Sequence, residues 1–176
     1  MLDNESIVID DVLFLGSTLW FNFQLTSFKV EAMSWAEHNV GDHFYIKWQD
    51  KNTIRSFTSN DMLNNFNVSY EFLYTSLKEA HKHYSKIIVI SHFLPSSHVL
   101  SDEHKDSTDN LIRSSYWCNE LPSLYQYADY WIYGHSHNNI NKQIGKLEFL
   151  SNQRGYSKIK NRSYEKGYNQ DFLIKI

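Results

Sequence analysis

Lys86-Ile87-Ile88-Val89-Ile90-Ser91-His92 is the stretch that decides the fold. Four consecutive β-branched residues follow a helical pattern and run into a polar loop, which is how a strand covered on both faces of an α/β sheet reads. The same plan returns downstream. A helix predicted from about Tyr116 to Tyr127, with Pro122 inside it, leads into Asp129-Tyr130-Trp131-Ile132-Tyr133 and then Gly134-His135-Ser136-His137. Each unit delivers a histidine to the C-terminal end of a strand, where open α/β sheets place their ligands.

Working outward, Met62, Phe66, Tyr70, Leu73, Leu77, Ala80 and Tyr84 recur at steps of three and four. That spacing predicts a long amphipathic helix capped by Thr58 or Ser59 and ending near Tyr84, with His81 and His83 suited to its negative C-terminal end. Ile7-Val8-Ile9 and Val12 to Leu15 read as a hairpin turned at Asp10-Asp11. A helix is expected from Phe28 to about Asn39. The segment from Gly41 to Phe57 reads as irregular, with one strand at Phe44–Trp48. The last strands are expected at Ile144–Leu150 and Phe172–Ile176.

The chain has 176 residues with only two Pro and six Gly, so no Pro- or Gly-rich linker divides it and a single domain is expected. Aromatic residues make up 16%, read as a bulky core and Tyr-rich surfaces. The net charge of -3 and the lack of a basic stripe argue against general nucleic-acid binding. Cys118 is the sole cysteine, so neither an internal disulfide nor a CxxC metal pair exists. The acidic start of the chain shows no signal peptide, and no apolar run reaches the length of a membrane span, which makes a cytoplasmic setting the expectation.

Among nine histidines, His38, His43, His81, His83, His98 and His104 read as surface or capping residues. His98, just beyond His92, could line the mouth of a site. His92, His135 and His137 differ because each follows an apolar strand. The pair at i and i+2 follows Gly134, whose missing side chain permits close approach. Neutral imidazoles suit Zn, Fe and similar ions.

These residues resemble a known family. Tyr133-Gly134-His135-Ser136-His137 is similar to the GH(T/S)H motif of calcineurin-like metallophosphoesterases, and Ile90 to Ser96 resembles that family's strand-end histidine motif. Leu15-Gly16-Ser17-Thr18-Leu19-Trp20 resembles the G-x-TLW segment of one branch. Asn152-Gln153-Arg154-Gly155-Tyr156 resembles its NPRGY segment, with Gln153 in place of Pro. The resemblance implies an α/β sandwich of two facing sheets flanked by helices. It implies phosphate ester hydrolysis with divalent metals such as Mn, Fe or Zn, with His92 and His135 on one metal and His137 on the other. Arg154 and Tyr156 could approach the site from the NPRGY-like segment, and a packing role reads equally well.

The family's DxH, GD and GNH motifs do not precede His92. Gly41-Asp42 has the letters of GD but follows no apolar strand. The chain therefore reads as residues 1–176 of an N-terminally truncated domain whose early strands are missing, and no catalytic residue is identified in it. Two divalent ions about 3.7 Å apart repel by roughly 18 kcal/mol at an effective dielectric of about 20. Three neutral imidazoles do not offset that, so an incomplete dinuclear site with weak or no activity is expected. Two other readings stay open: a non-catalytic remnant or half of a split protein, and a mononuclear zinc protein with three histidine ligands. An open sheet edge would invite a complementing N-terminal polypeptide or self-association.

Overall fold

The computed structural model describes residues 2–50, 52–156 and 167–175. Its centre is a six-stranded sheet built from β1 (Glu5–Ile9), β2 (Val12–Ser17), β5 (Lys86–Ser91), β6 (Tyr130–Ile132), β7 (Lys142–Ile144) and β8 (Leu147–Leu150), in the order β1-β2-β5-β6-β8-β7. The four inner strands β2, β5, β6 and β8 are parallel, and the edge strands β1 and β7 are antiparallel to their neighbours. The α/β class follows as expected. The strands divide differently from two facing sheets: beside the six-stranded sheet, the described residues hold only a ribbon of β3 (Lys47–Asp50) and β4 (Thr53–Ser56).

Local chemistry explains most elements. Asp10 and Asp11 sit at φ 48° and 65°. Two consecutive positive φ values are what a two-residue hairpin turn requires, and Asp tolerates them better than most residues. Helix α3 (Ser59–Ala80) starts on Thr58, which forms a capping box with Asp61. Asp61 also takes a bidentate pair from Arg55, at 2.5 and 2.8 Å, tying the ribbon to the helix start. Helix α3 ends at Ala80, short of Tyr84. His81 caps it and turns its ring to the Lys78 carbonyl at 2.7 Å, so the chain turns early enough to enter β5.

Several expectations are corrected. The helix from Tyr116 to Tyr127 shrinks to α5 (Pro122–Tyr125), with Pro122 in its first turn, where a missing N–H costs nothing. The residues before it loop, because Asn119 bonds the Trp20 and Leu94 carbonyls and accepts from Asn22 N–H. An unforeseen helix, α4 (Thr108–Ser114), precedes that loop, capped by Ser107. The strand expected over Ile144–Leu150 is a hairpin, bent at Gly145 with φ 59°. Residues 172–175 form no strand, and Ile176 lies outside the described residues. The segment Gly41–Phe57 holds α2 (Gly41–Tyr45) and the β3–β4 ribbon, while α1 (Lys29–Asn39) runs as expected.

The core forms around the sheet. Leu15, Val89, Trp131 and Phe149 are fully buried on successive strands, and Phe21, Phe23 and Phe57 fill the space toward the helices. Trp131 donates its indole N–H to Ser91 Oγ at 2.9 Å, which satisfies the single polar atom of a buried ring. At the other extreme, β1 is exposed along its whole length, including Ile7, Val8 and Ile9 at 47, 47 and 51%. No helix among the described residues is long and apolar enough to cross a membrane.

Candidate functional site

Adjacent parallel strands set the site. Strands β5 and β6 pair in register from Ile88↔Tyr130 to Ile90↔Ile132, so the residues that follow them emerge side by side. Gly134 N–H donates to the His92 carbonyl at 3.2 Å, and His135 Nδ1 lies 3.1 Å from His92 Nε2. A Cβ built on Gly134 would stand 3.5 Å from the His92 carbonyl oxygen, an ordinary contact. Close backbone approach is real there, yet it leaves room for a methyl group.

Phe93 supports both rings from below, 4.8 Å from His92 and 4.7 Å from His135 between centroids. Phe93 in turn packs on Trp20 and Phe21 and donates its N–H to the Thr18 carbonyl. The Thr18-Leu19-Trp20 segment thus forms the backing of the site, with Leu19 fully buried at φ 50°.

Burial lowers the His135 pKa to about 4, and the fields of His92 and His137 push the same way. His92 is more exposed, but its face against Phe93 and His135 is dry, and that desolvation lowers its pKa. The Asp42 field opposes the shift and the His137 field adds to it. Both effects favour neutral imidazole near neutral pH, the form that donates a lone pair to a metal. Asp42, dismissed in the sequence as an accidental GD, is the anionic group felt at the site. It also helps burial raise the pKa of Tyr116.

The loop Gly134–His137 is held in an uncommon shape. His135 and His137 have φ of 68° and 55°, the left-handed region that non-glycine residues enter at a cost. Gln153 holds it there. Its Oε1 accepts from His137 N–H at 2.7 Å, and the two N–H groups of its Nε2 are shared among Ser136 Oγ, Asn138 O and Ser151 Oγ at 3.0, 3.0 and 2.7 Å. Asn139 clamps the Gln153 backbone from both sides. In the sequence Gln153 was only a departure from the NPRGY pattern, and nothing local marks it as a hub.

A cavity of about 420 Å³ opens beside the three histidines and includes Gln153 and Tyr156 in its wall. Tyr156 stands edge-on to His137 at 4.5 Å. Arg154 is exposed and lies outside the lining of this cavity. His98 sits in a short 3-10 turn, Ser97–Val99, exposed and likewise outside that lining. Its charge reaches Glu120 instead: burial would raise that carboxyl, but hydrogen bonds from Ser97 and Tyr125 outweigh it and hold the pKa low. His43 is not a surface residue. It is buried, with Nδ1 against the Phe57 carbonyl at 2.8 Å. His104 packs its ring on Trp117. Cys118 is fully buried and its thiol pKa is pushed well up by desolvation, which leaves it unreactive.

Two imidazole nitrogens on one tetrahedral zinc, each at roughly 2.0–2.1 Å, stand roughly 3.3 Å apart. The His92 and His135 nitrogens, 3.1 Å apart in a hydrogen-bonding contact between the two rings, stand near that spacing. Among the described residues, no group of three or more His, Cys, Asp or Glu is placed to hold a metal. Two imidazole nitrogens would fill half of one tetrahedral coordination shell.

No protein-family model matches the chain. It is 29% identical over 166 residues to an uncharacterized protein of Acanthamoeba polyphaga mimivirus, covering 92% of this chain and 56% of that relative. The chain therefore spans little more than half of that relative's length. A solved structure of a Staphylococcus aureus protein, provisionally named a 5'-nucleotidase and bound to alpha-ketoglutarate, aligns over 84% of this chain and 23% of that one. The TM-score is 0.37 and the identity 16%, too low for any argument to rest on it.

Proposed function

We propose that this chain carries the histidine portion of a metal-dependent phosphoesterase site and is weakly active or inactive by itself. The supporting observation is the pairing of His92 Nε2 with His135 Nδ1 at 3.1 Å on the ends of adjacent parallel strands, in a cavity shared with His137. The motif resemblance supplies the reaction class, phosphate ester hydrolysis. A bound divalent ion (Mn, Fe, Zn or similar) would supply Lewis acidity and an acidified water. This chain's own residues supply neutral nitrogen donors, a loop fixed by Gln153, and a dry aromatic floor at Phe93. No carboxylate joins the histidine pair at coordinating distance among the described residues, so the anionic portion would come from elsewhere.

Hydrolysis of bis(p-nitrophenyl) phosphate with added Mn, by the wild type and His135→Ala, tests the reading. The chain alone should give little or no turnover. Robust turnover that vanishes in the variant would refute the claim that the site is incomplete. No turnover under any metal, even with a complementing chain present, would refute the phosphoesterase reading itself.

The nitrogen pair also favours a second reading, one zinc held by the histidines. Metal analysis of the purified chain decides it: about one tightly held Zn per chain supports it, and none rejects it. A complementing polypeptide, if the site is shared, would add its strand at the open apolar edge of β1.

A further inference from the structure

A second cleft, of about 460 Å³, lies against the histidine cavity, and the two share Tyr116, His135 and Ser136 as their common wall. Its volume falls within the roughly 300–1,000 Å³ range of small-molecule sites. Rings line it continuously. Trp35 meets Tyr116 at 5.6 Å between centroids, Tyr116 meets Trp117 at 6.4 Å, and Trp117 meets His135 at 6.0 Å. Trp35 comes from α1, while Tyr116 and Trp117 come from the loop that replaced the expected helix, so only the tertiary fold assembles this surface.

Polar groups rim the rings. Asn110 spends its amide nitrogen on the Glu103 carbonyl and on Asp106, while its Oδ1 accepts nothing among the described residues. Arg113 is exposed at the rim and pairs with no carboxylate among the described residues. The rings are inclined to one another by 33 to 61°. Trp117 is nearly buried while Trp35 and Tyr116 are half-buried, so the accessible aromatic faces are those of Trp35 and Tyr116, which favour a planar ring. With the Glu103 carboxylate also in the lining, this rim of acceptors and a cation favours a ring with donors and acceptors on its edge over a plain phenyl ring.

We propose that this cleft binds the nucleobase of a nucleotide, placing its phosphate toward His92, His135 and His137. The substrate class becomes nucleoside phosphates, an assignment that rests on the phosphoesterase reading above. Base recognition itself requires neither metal nor turnover.

Isothermal titration of the full chain in chelator, with adenosine, AMP, ribose 5-phosphate and phenyl phosphate, tests it. Adenosine and AMP should bind. Ribose 5-phosphate and phenyl phosphate should bind about tenfold weaker or worse, the size of one lost base stack. Trp35→Ala should weaken adenosine by a similar factor, and Trp35→Phe should restore most of it. Ribose 5-phosphate or phenyl phosphate matching AMP, adenosine giving no saturable heat, or Trp35→Ala binding adenosine like the wild type would each overturn the proposal. If Trp35→Ala does not fold, the ligand series and Trp35→Phe still decide. His137 lines the histidine cavity and not this cleft. His137→Ala should therefore keep adenosine affinity while losing any Mn-dependent hydrolysis. Adenosine binding with no hydrolysis under any metal, even with a complementing chain present, would sink only the catalytic reading. Hydrolysis without adenosine binding would sink only the base-binding one.

Discussion

Replacing Gln153 by Ala removes the residue that shapes the histidine loop. About three hydrogen bonds of the Gln153 side chain go: one accepted from His137 N–H, and the two Nε2 donors shared among Ser136 Oγ, Asn138 O and Ser151 Oγ. Each is worth roughly 1 kcal/mol net, and less where water can substitute at this half-buried position. A loss of about 2–3 kcal/mol follows. The loop also stores strain at His135 and His137, both in the left-handed region. Without the clamp it relaxes instead of holding that conformation. For a domain of this size, each kcal/mol moves the Tm by about 2–4 °C, so the expected drop is about 4–12 °C. Scanning calorimetry reads it. Amide hydrogen exchange should show faster exchange across 134–138 while the β5 amides stay protected. Gln153→Pro, the residue of the pattern this segment resembles, also removes the N–H that binds Asn139. It should be no more stable than Gln153→Ala. A Tm drop under about 2 °C with unchanged exchange in the loop would refute the hub role.

Other outcomes follow from the same structure. In the metal-free chain, the folded-state pKa of His135 is about 4 against an ordinary value of 6.5. The unfolded state then binds more protons between those values, so stability is highest above about pH 6.5 and falls as pH drops toward 4, by about 3 kcal/mol at most. Urea titrations across that range should lose much of this slope in His135→Gln, and an unchanged slope would assign the acid sensitivity elsewhere. Thr58→Ala removes the α3 cap and should cost about 1 kcal/mol. Asp61→Asn should cost more, about 2–4 kcal/mol, because it also breaks the Arg55 pair. Hydrogen bonding from Arg55 holds the Asp61 carboxyl low, so the excess cost of Asp61→Asn should be full above pH about 3.8 and fade in strong acid. Val8→Lys at the open β1 edge should abolish any self-association seen by light scattering while leaving the Tm nearly unchanged, since Val8 is 47% exposed.

Local pattern was enough for the α/β plan, because burying β-branched residues on both faces leaves a continuous apolar run wherever it occurs. Ile87–Ile90, the Asp10-Asp11 turn and the Thr58 cap were all legible for that reason. So were the positions of His92 and His135, since a strand end followed by a polar loop fixes where a side chain emerges. What the sequence could not decide were choices made by distant partners. The stretch Tyr116–Leu121 stands where the αβ plan expects a helix, but Asn119 spends its side chain on the Trp20 and Leu94 carbonyls, and Tyr116 and Trp117 join the cleft wall. His43 looked like a surface residue and is buried by the Phe57 carbonyl. Gln153 carries no signal of its own, yet its amide meets four groups brought together only when β6 and β8 pair. Hydrogen-bond partners far apart in the chain become neighbours only in the folded state. That is why the sequence by itself determined the histidines and the sheet that carries them, and the tertiary structure alone decided how the loop holding them is shaped and what lies beside it.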